Sequence, residues 1–214
     1  MSVIVRCSIA DNNKYQQYMT IKKGHHRPAF WWTRIRPHFG IREMTRIVTF
    51  DSSCHYDWKA PRTKSVNPYG GNTELSDYDH WNKLFGWSDF FGKNSIRVGW
   101  RPHYDNSEGQ AFVPEYMVNP KVWLGAYLKE DGKRTTHPPE MSLGYWNYGE
   151  ELDITIEHIT KSKSGPGVLF IIYGEHDNTS VFFKYTGKIE CGWLMHPYFG
   201  GFPTAPHDME LNIQ

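Results

Sequence analysis

The chain has 214 residues, with 24 Lys and Arg against 23 Asp and Glu, a net charge of +1. So even a balance gives no global field to attract nucleic acid or an anionic membrane surface, so a basic site has to be local and a nucleic-acid partner is not expected. Aromatic residues make up 16% of the chain, a composition that favours strands and supplies stacking surfaces for sugars.

The opening Met1-Ser2-Val3-Ile4-Val5-Arg6 lacks the apolar core of a signal peptide, and the longest apolar run, Val168 to Tyr173, is too short to span a bilayer. The expectation is a protein synthesised in the cytosol, with no membrane partner. Cys7, Cys54 and Cys191 stand far apart, and the eleven histidines show neither HxH nor HExxH spacing. No metal site and no cofactor is expected from such spacing.

Residues 1–43 read as an irregular basic-aromatic arm, with Lys22, Lys23, His25, His26, Arg27, Trp31, Trp32, Arg34, Arg36 and His38 interleaved. Such an arm suits docking onto other protein subunits. A strand from Met44 to Phe50 follows, then a turn-rich stretch from Asp51 to Asp79 holding Pro61, Pro68, Gly70 and Gly71. From Lys83 onward the pattern is nearly all strand. In Asn94 to Arg101, Ile96, Val98 and Trp100 point one way, while Ser95, Arg97, Gly99 and Arg101 point the other. That predicts a half-buried strand with two arginines and a serine on an open face.

Lys121 to Lys129 alternates in the same way, with Val122, Leu124, Ala126 and Leu128 opposed to Lys121, Trp123, Tyr127 and Lys129. Asp131-Gly132 then predicts a tight turn. Leu152, Ile154 and Ile156 define the inner face of Glu151 to His158. Val168 to Tyr173 reads as a central strand buried on both faces. Val181 to Tyr185 and Asp208 to Ile213 complete the set. The fold class predicted is all-β: a two-sheet antiparallel β-sandwich or jelly roll over residues 44–214, with the inner residues just named and Trp100 in its core.

Lys83-Leu84-Phe85-Gly86, then Ser95-Ile96-Arg97 with Trp100 beyond it, then Tyr127, and finally Phe199-Gly200-Gly201, form a series of short motifs. The series resembles the family 14 polysaccharide lyases, alginate and glucuronate-polymer lyases built on a concanavalin-like jelly roll. That family carries Lys-Leu-Pro-Gly, Ser-x-Arg-x-x-Trp, Tyr-x-Tyr and Phe-Gly-Gly segments. Phe85 stands in place of the proline and Lys129 in place of the second tyrosine.

The resemblance implies cleavage of an acidic, uronate polysaccharide by β-elimination, with Lys83, Ser95, Arg97 and Tyr127 as the catalytic set. In such a reaction the C5 carboxylate is neutralised, the C5 proton abstracted and the departing O4 protonated. Arg97, a planar cation, suits the carboxylate. Tyr127 would exchange protons at C5 and O4, Lys83 would serve as a neighbouring cation or as the base, and Ser95 would position the sugar. Arg101 and Lys129 would add substrate-binding charge, and Trp123 would stack on a sugar ring. The alternative reading is a non-enzymatic, virion-associated structural or assembly protein, its sandwich a rigid brick. Convergence of Lys83, Ser95, Arg97 and Tyr127 in one groove favours the sugar chemistry.

Overall fold

The period-two positions close into the interior of a two-sheet antiparallel sandwich of jelly-roll type. The computed structural model describes residues 17–28, 36–56, 81–103, 120–200 and 205–214. One sheet runs β1 (Gln17–Ile21), β13 (Met209–Ile213), β3 (Glu43–Phe50), β9 (Glu151–Ile159), β10 (Gly167–Tyr173), β11 (Asn178–Lys184). The other runs β2 (Pro37–Phe39), β12 (Cys191–Met195), β4 (Asn82–Asp89), β5 (Ser95–His103), β6 (Lys121–Glu130), β7 (Lys133–Arg134), with β8 (Ser142–Asn147) also paired to β6. Among the described residues the one helical element is a 3₁₀ turn, Ser52–Cys54, where the Asp51 carboxylate accepts from the Ser53 backbone N–H at 2.8 Å. His207 donates from Nε2 to the Ser53 carbonyl at 2.7 Å, tying the start of β13 to that turn.

Ile96, Val98, Trp100, Val122, Leu124, Ala126, Leu128, Leu152, Ile154 and Ile156 are all 0–1% exposed and belong to one core cluster between the sheets. The Asp131-Gly132 turn joins β6 to β7 with φ of 46° and 84°, the doubly left-handed geometry that a two-residue hairpin needs. Residues 57–80, which cover most of the turn-rich stretch, lie outside the described residues.

Two expectations are corrected. The stretch 1–43 is not irregular throughout, since β1 and β2 each sit at the edge of a sheet. Strands of five and three residues are too short for alternation to register. Val168 to Tyr173 is not buried on both faces. Val168, Phe170 and Ile172 are fully buried, Leu169 and Ile171 only half, and Tyr173 is exposed. A continuous apolar run carries no period, so it could not reveal that one face of β10 is only half-covered.

His38 and His158 are buried, on β2 and β9. Burial lowers the pKa of both imidazoles below the free value of 6.5; the Ser88 carbonyl partly offsets this at His38, and the Arg42 charge adds to it at His158. The folded state therefore holds fewer protons than the unfolded chain in this window. The stability due to the neutral rings is full above pH 6.5 and is lost as pH falls below it through the folded values. Melting temperature should fall as pH is lowered from neutral to mildly acidic, with a shallower slope in a His38→Gln/His158→Gln protein. Equal slopes in a calorimetric pH series would show that these rings are not responsible.

Candidate functional site

The site residues expected from the sequence lie on the outer face of the seven-stranded sheet. Cross-strand register fixes which side chains share a row on it. Gly86, Arg97 and Tyr127 are aligned across β4, β5 and β6. The row on one side aligns Ser88, Ser95 and Lys129. The rows on the other side align Lys83, Gly99 and Gly125, then Arg101, Trp123 and Tyr145. All seven residues singled out from the sequence thus lie on one sheet face.

A bulge in β4 makes this arrangement work. Three steps from Lys83 to Gly86 answer two from Gly99 to Arg97, so Leu84 and Phe85 both turn into the core while Lys83 stays outside. Gly86 holds φ at +141°, and a Cβ there would sit 2.1 Å from the Ile96 carbonyl oxygen, so only glycine fits.

Arg97 lies at the floor, 7% exposed, and its Nη2 donates to the His196 carbonyl at 2.7 Å. Its Nε has no hydrogen-bond partner among the described residues, and no described carboxylate comes within salt-bridge distance. Glu151, Asp153 and Glu157, the acidic residues of β9, belong to the other sheet. Burial pushes the guanidinium down to about 10, the Tyr127 phenol opposing and the Arg27 charge adding to the fall, so it stays cationic at neutral pH.

Around Arg97 stand two phenols and several cations. The Lys83 Nζ is 4.8 Å from the centre of the Tyr127 ring and 5.9 Å from that of Tyr198. The Arg134 guanidinium is 4.9 Å from the Tyr127 ring centre. Tyr198 is held opposite Lys83 by a pair of backbone hydrogen bonds, each 2.8 Å. Its ring stacks on His26 at 5.2 Å with planes 2° apart, and Arg27 lies 5.3 Å from its centre.

Solved structures similar to this chain include alginate lyases. Alginate lyase Aly36B is 13% identical, with a TM-score of 0.48 over 93% of this chain and 78% of that one. The marine PL-14 alginate lyase from Aplysia kurodai is 15% identical, with a TM-score of 0.43 over 92% of this chain and 79% of that one. No family model and no curated protein matches the sequence.

Lys83, Arg97 and Tyr127 form one cluster, whereas the other four sequence-predicted residues are placed differently. Ser95 shares the face but is 6% exposed, one row away between Ser88 and Lys129. The Lys129 Nζ donates to the Gly92 carbonyl at 3.0 Å, clasping the β4–β5 turn. Arg101 is 5% exposed, its guanidinium 4.9 Å from the Trp81 ring and 4.3 Å from the Trp123 ring. Trp123 is not an open platform: it is 6% exposed and donates from Nε1 to Ser142 at 2.9 Å.

The strand face expected to be open is therefore largely covered. Gly99 and Gly125 lie side by side, and Trp81 and Met141 rest on them. A Cβ on Gly125 would approach Met141 to 2.5 Å and Trp81 to 2.9 Å. Trp81, Tyr198, His26, Arg27 and Arg134 were not singled out for this site. The Phe199-Gly200 segment held one usable signal, because Phe199 is buried in the core and its neighbour Tyr198 turns outward.

Proposed function

We propose that this chain binds an acidic, uronate-containing polysaccharide on the outer face of the seven-stranded sheet and cleaves it by β-elimination. The observation that carries this reading is Arg97, a buried cation with unused donor capacity and no described carboxylate beside it, set near two phenols and a lysine. A guanidinium desolvated without an internal counter-ion suits a carboxylate brought by a ligand. None of the outward residues in the rows around Arg97 is acidic, which favours an anionic chain. The Lys-Leu-x-Gly and Ser-x-Arg-x-x-Trp spacings that resemble family 14 polysaccharide lyases fall on these same strands.

In this mechanism Arg97 binds the C5 carboxylate and stabilises the charge that builds there as the C5–H bond breaks. Tyr127, or Lys83 beside it, takes the C5 proton. The electron pair forms the C4–C5 double bond, the C4–O4 bond breaks, and the departing oxygen receives a proton from a phenol. Tyr198 supplies a second phenol on the same face, whereas Lys129 stands in place of the second tyrosine of the Tyr-x-Tyr segment.

Incubation with alginate and with a polyglucuronate provides the test. The new double bond is conjugated to the carboxylate, so ultraviolet absorbance should rise as the polymer is cut. No rise on any uronate polymer between neutral and alkaline pH would remove the lyase reading. Binding without a rise would leave a recognition face only.

A further inference from the structure

The sheet face that holds Arg97 continues past β4 onto β12 and β2. Trp193 is paired with Ser88 and Met195 with Gly86, so Trp193 shares a row with Ser95, and Met195 shares one with Arg97. Beyond β12, Phe39 pairs with Cys191 and faces the same way as Trp193. This end of the face is unusually bare of cover for its chemistry. Phe91 is 88% exposed, Phe39 76%, Phe90 41% and Trp193 37%. Phe90, from the β4–β5 turn, meets Trp193 edge-on, with ring centres 5.2 Å apart and planes at 82°. Scattered single aromatics need no explanation, but several gathered at one edge of a cationic sheet face mark a binding surface.

The other end of the face differs. Trp81, Trp123 and Met141 are buried on the face there, filling the rows beyond Lys83. A polymer seated on Arg97 therefore meets protein toward Trp123 and open aromatic surface toward β12. Two strand spacings across and two residues along separate the Arg97 and Trp193 backbones, about 12 Å, a span that a short run of sugar rings can bridge. The aromatic end suits the C–H faces of pyranose rings, whereas the arginine end suits their carboxylates.

We propose that Trp193 and Phe90, flanked by Phe39, form a distal stacking subsite for the same polysaccharide chain whose carboxylate Arg97 holds. The protein then selects for chain length as well as for charge. This rests on the functional reading above. The occupant is one continuous acidic glycan, because the half-buried Met195 links Trp193 along β12 to the Arg97 row, while Ser88 and Ser95 alongside are 3% and 6% exposed.

The test compares the wild type with Trp193→Ala and Phe90→Ala, using calorimetry on an alginate polymer and on an alginate disaccharide. Melting temperatures are measured alongside to confirm that each variant is folded. Each substitution should weaken polymer binding about tenfold, equivalent to about 1.4 kcal/mol. Disaccharide affinity should change by less than about twofold, since a disaccharide on Arg97 does not reach the patch. Equal losses on both ligands, or no loss on the polymer, would overturn the subsite while leaving the functional reading intact. A wild type that binds no uronate polymer sinks both. Sedimentation showing a wild-type dimer that Trp193→Ala dissolves would assign the patch to self-association instead.

Discussion

Replacing Tyr127 by Phe is expected to leave the sandwich folded and to end cleavage of a uronate polymer. The substitution removes one oxygen from a half-buried ring on β6 and keeps the aromatic face that Lys83 and Arg134 approach at 4.8 and 4.9 Å. Cation–π attraction and packing therefore survive, while the proton-transferring group is gone. Removing a general acid or base usually costs about 10²–10⁴-fold in rate, so kcat should fall by that order while polymer affinity changes little. Absorbance assays, calorimetric binding and circular dichroism on the same preparation separate the three effects. If turnover stays within about tenfold of wild type, Tyr127 is not the shuttle. Tyr198→Phe then becomes the decisive comparison.

The largest expected loss of stability is at Trp100. It is 1% exposed on the inner face of β5, with Phe50 of the opposite sheet at 5.2 Å and Tyr56 at 6.3 Å between ring centres. Its indole thus joins the two sheets behind the cluster that Arg97 anchors in front. Trp100→Ala should cost about 3–5 kcal/mol through lost burial and the cavity left behind. Denaturant titration measures the loss directly. Trp100→Phe, which keeps the aromatic contact, should lose less. An unchanged melting temperature for Trp100→Ala would mean that the two faces of β5 have been assigned the wrong way round.

How much of this was readable in the sequence depends on how local each signal was. Alternation in β5, β6 and β9 separated inward from outward residues, because a strand repeats every two residues and its polar face is not fully covered. It therefore placed Arg97 and Tyr127 on the outward face, whereas Lys83, on the bulged β4, was reached only through the Lys-Leu-x-Gly resemblance. It could not say what lay over that face. Trp81 and Met141 reach it from outside β5 and β6, and they turned an expected open surface into a filled one on the Arg101 side. Arg101 and Trp123 were read as free for a ligand, whereas Arg101 stacks on Trp123. Tyr198 became part of the cluster through a long-range backbone pairing with Lys83, and His26 through stacking on Tyr198. Apart from the Phe199-Gly200 segment beside Tyr198, nothing near either residue in the chain announces those contacts. The departure at Lys129 has a simple outcome as well: its ammonium serves the β4–β5 turn.

The position of Arg97 gives the protein's heat tolerance a dependence on what it holds. A cation whose folded value lies below its free one is a cost to folding for as long as it is charged, and at neutral pH it is charged throughout. An anionic chain seated on it relieves that cost, and whatever binds only the native form shifts the unfolding equilibrium in proportion to the logarithm of its concentration. If the chain engages an anionic polymer as proposed, that polymer is also its protectant. An apolar residue of similar size in place of Arg97 would fold at less cost, so the arginine at this position serves a demand other than folding.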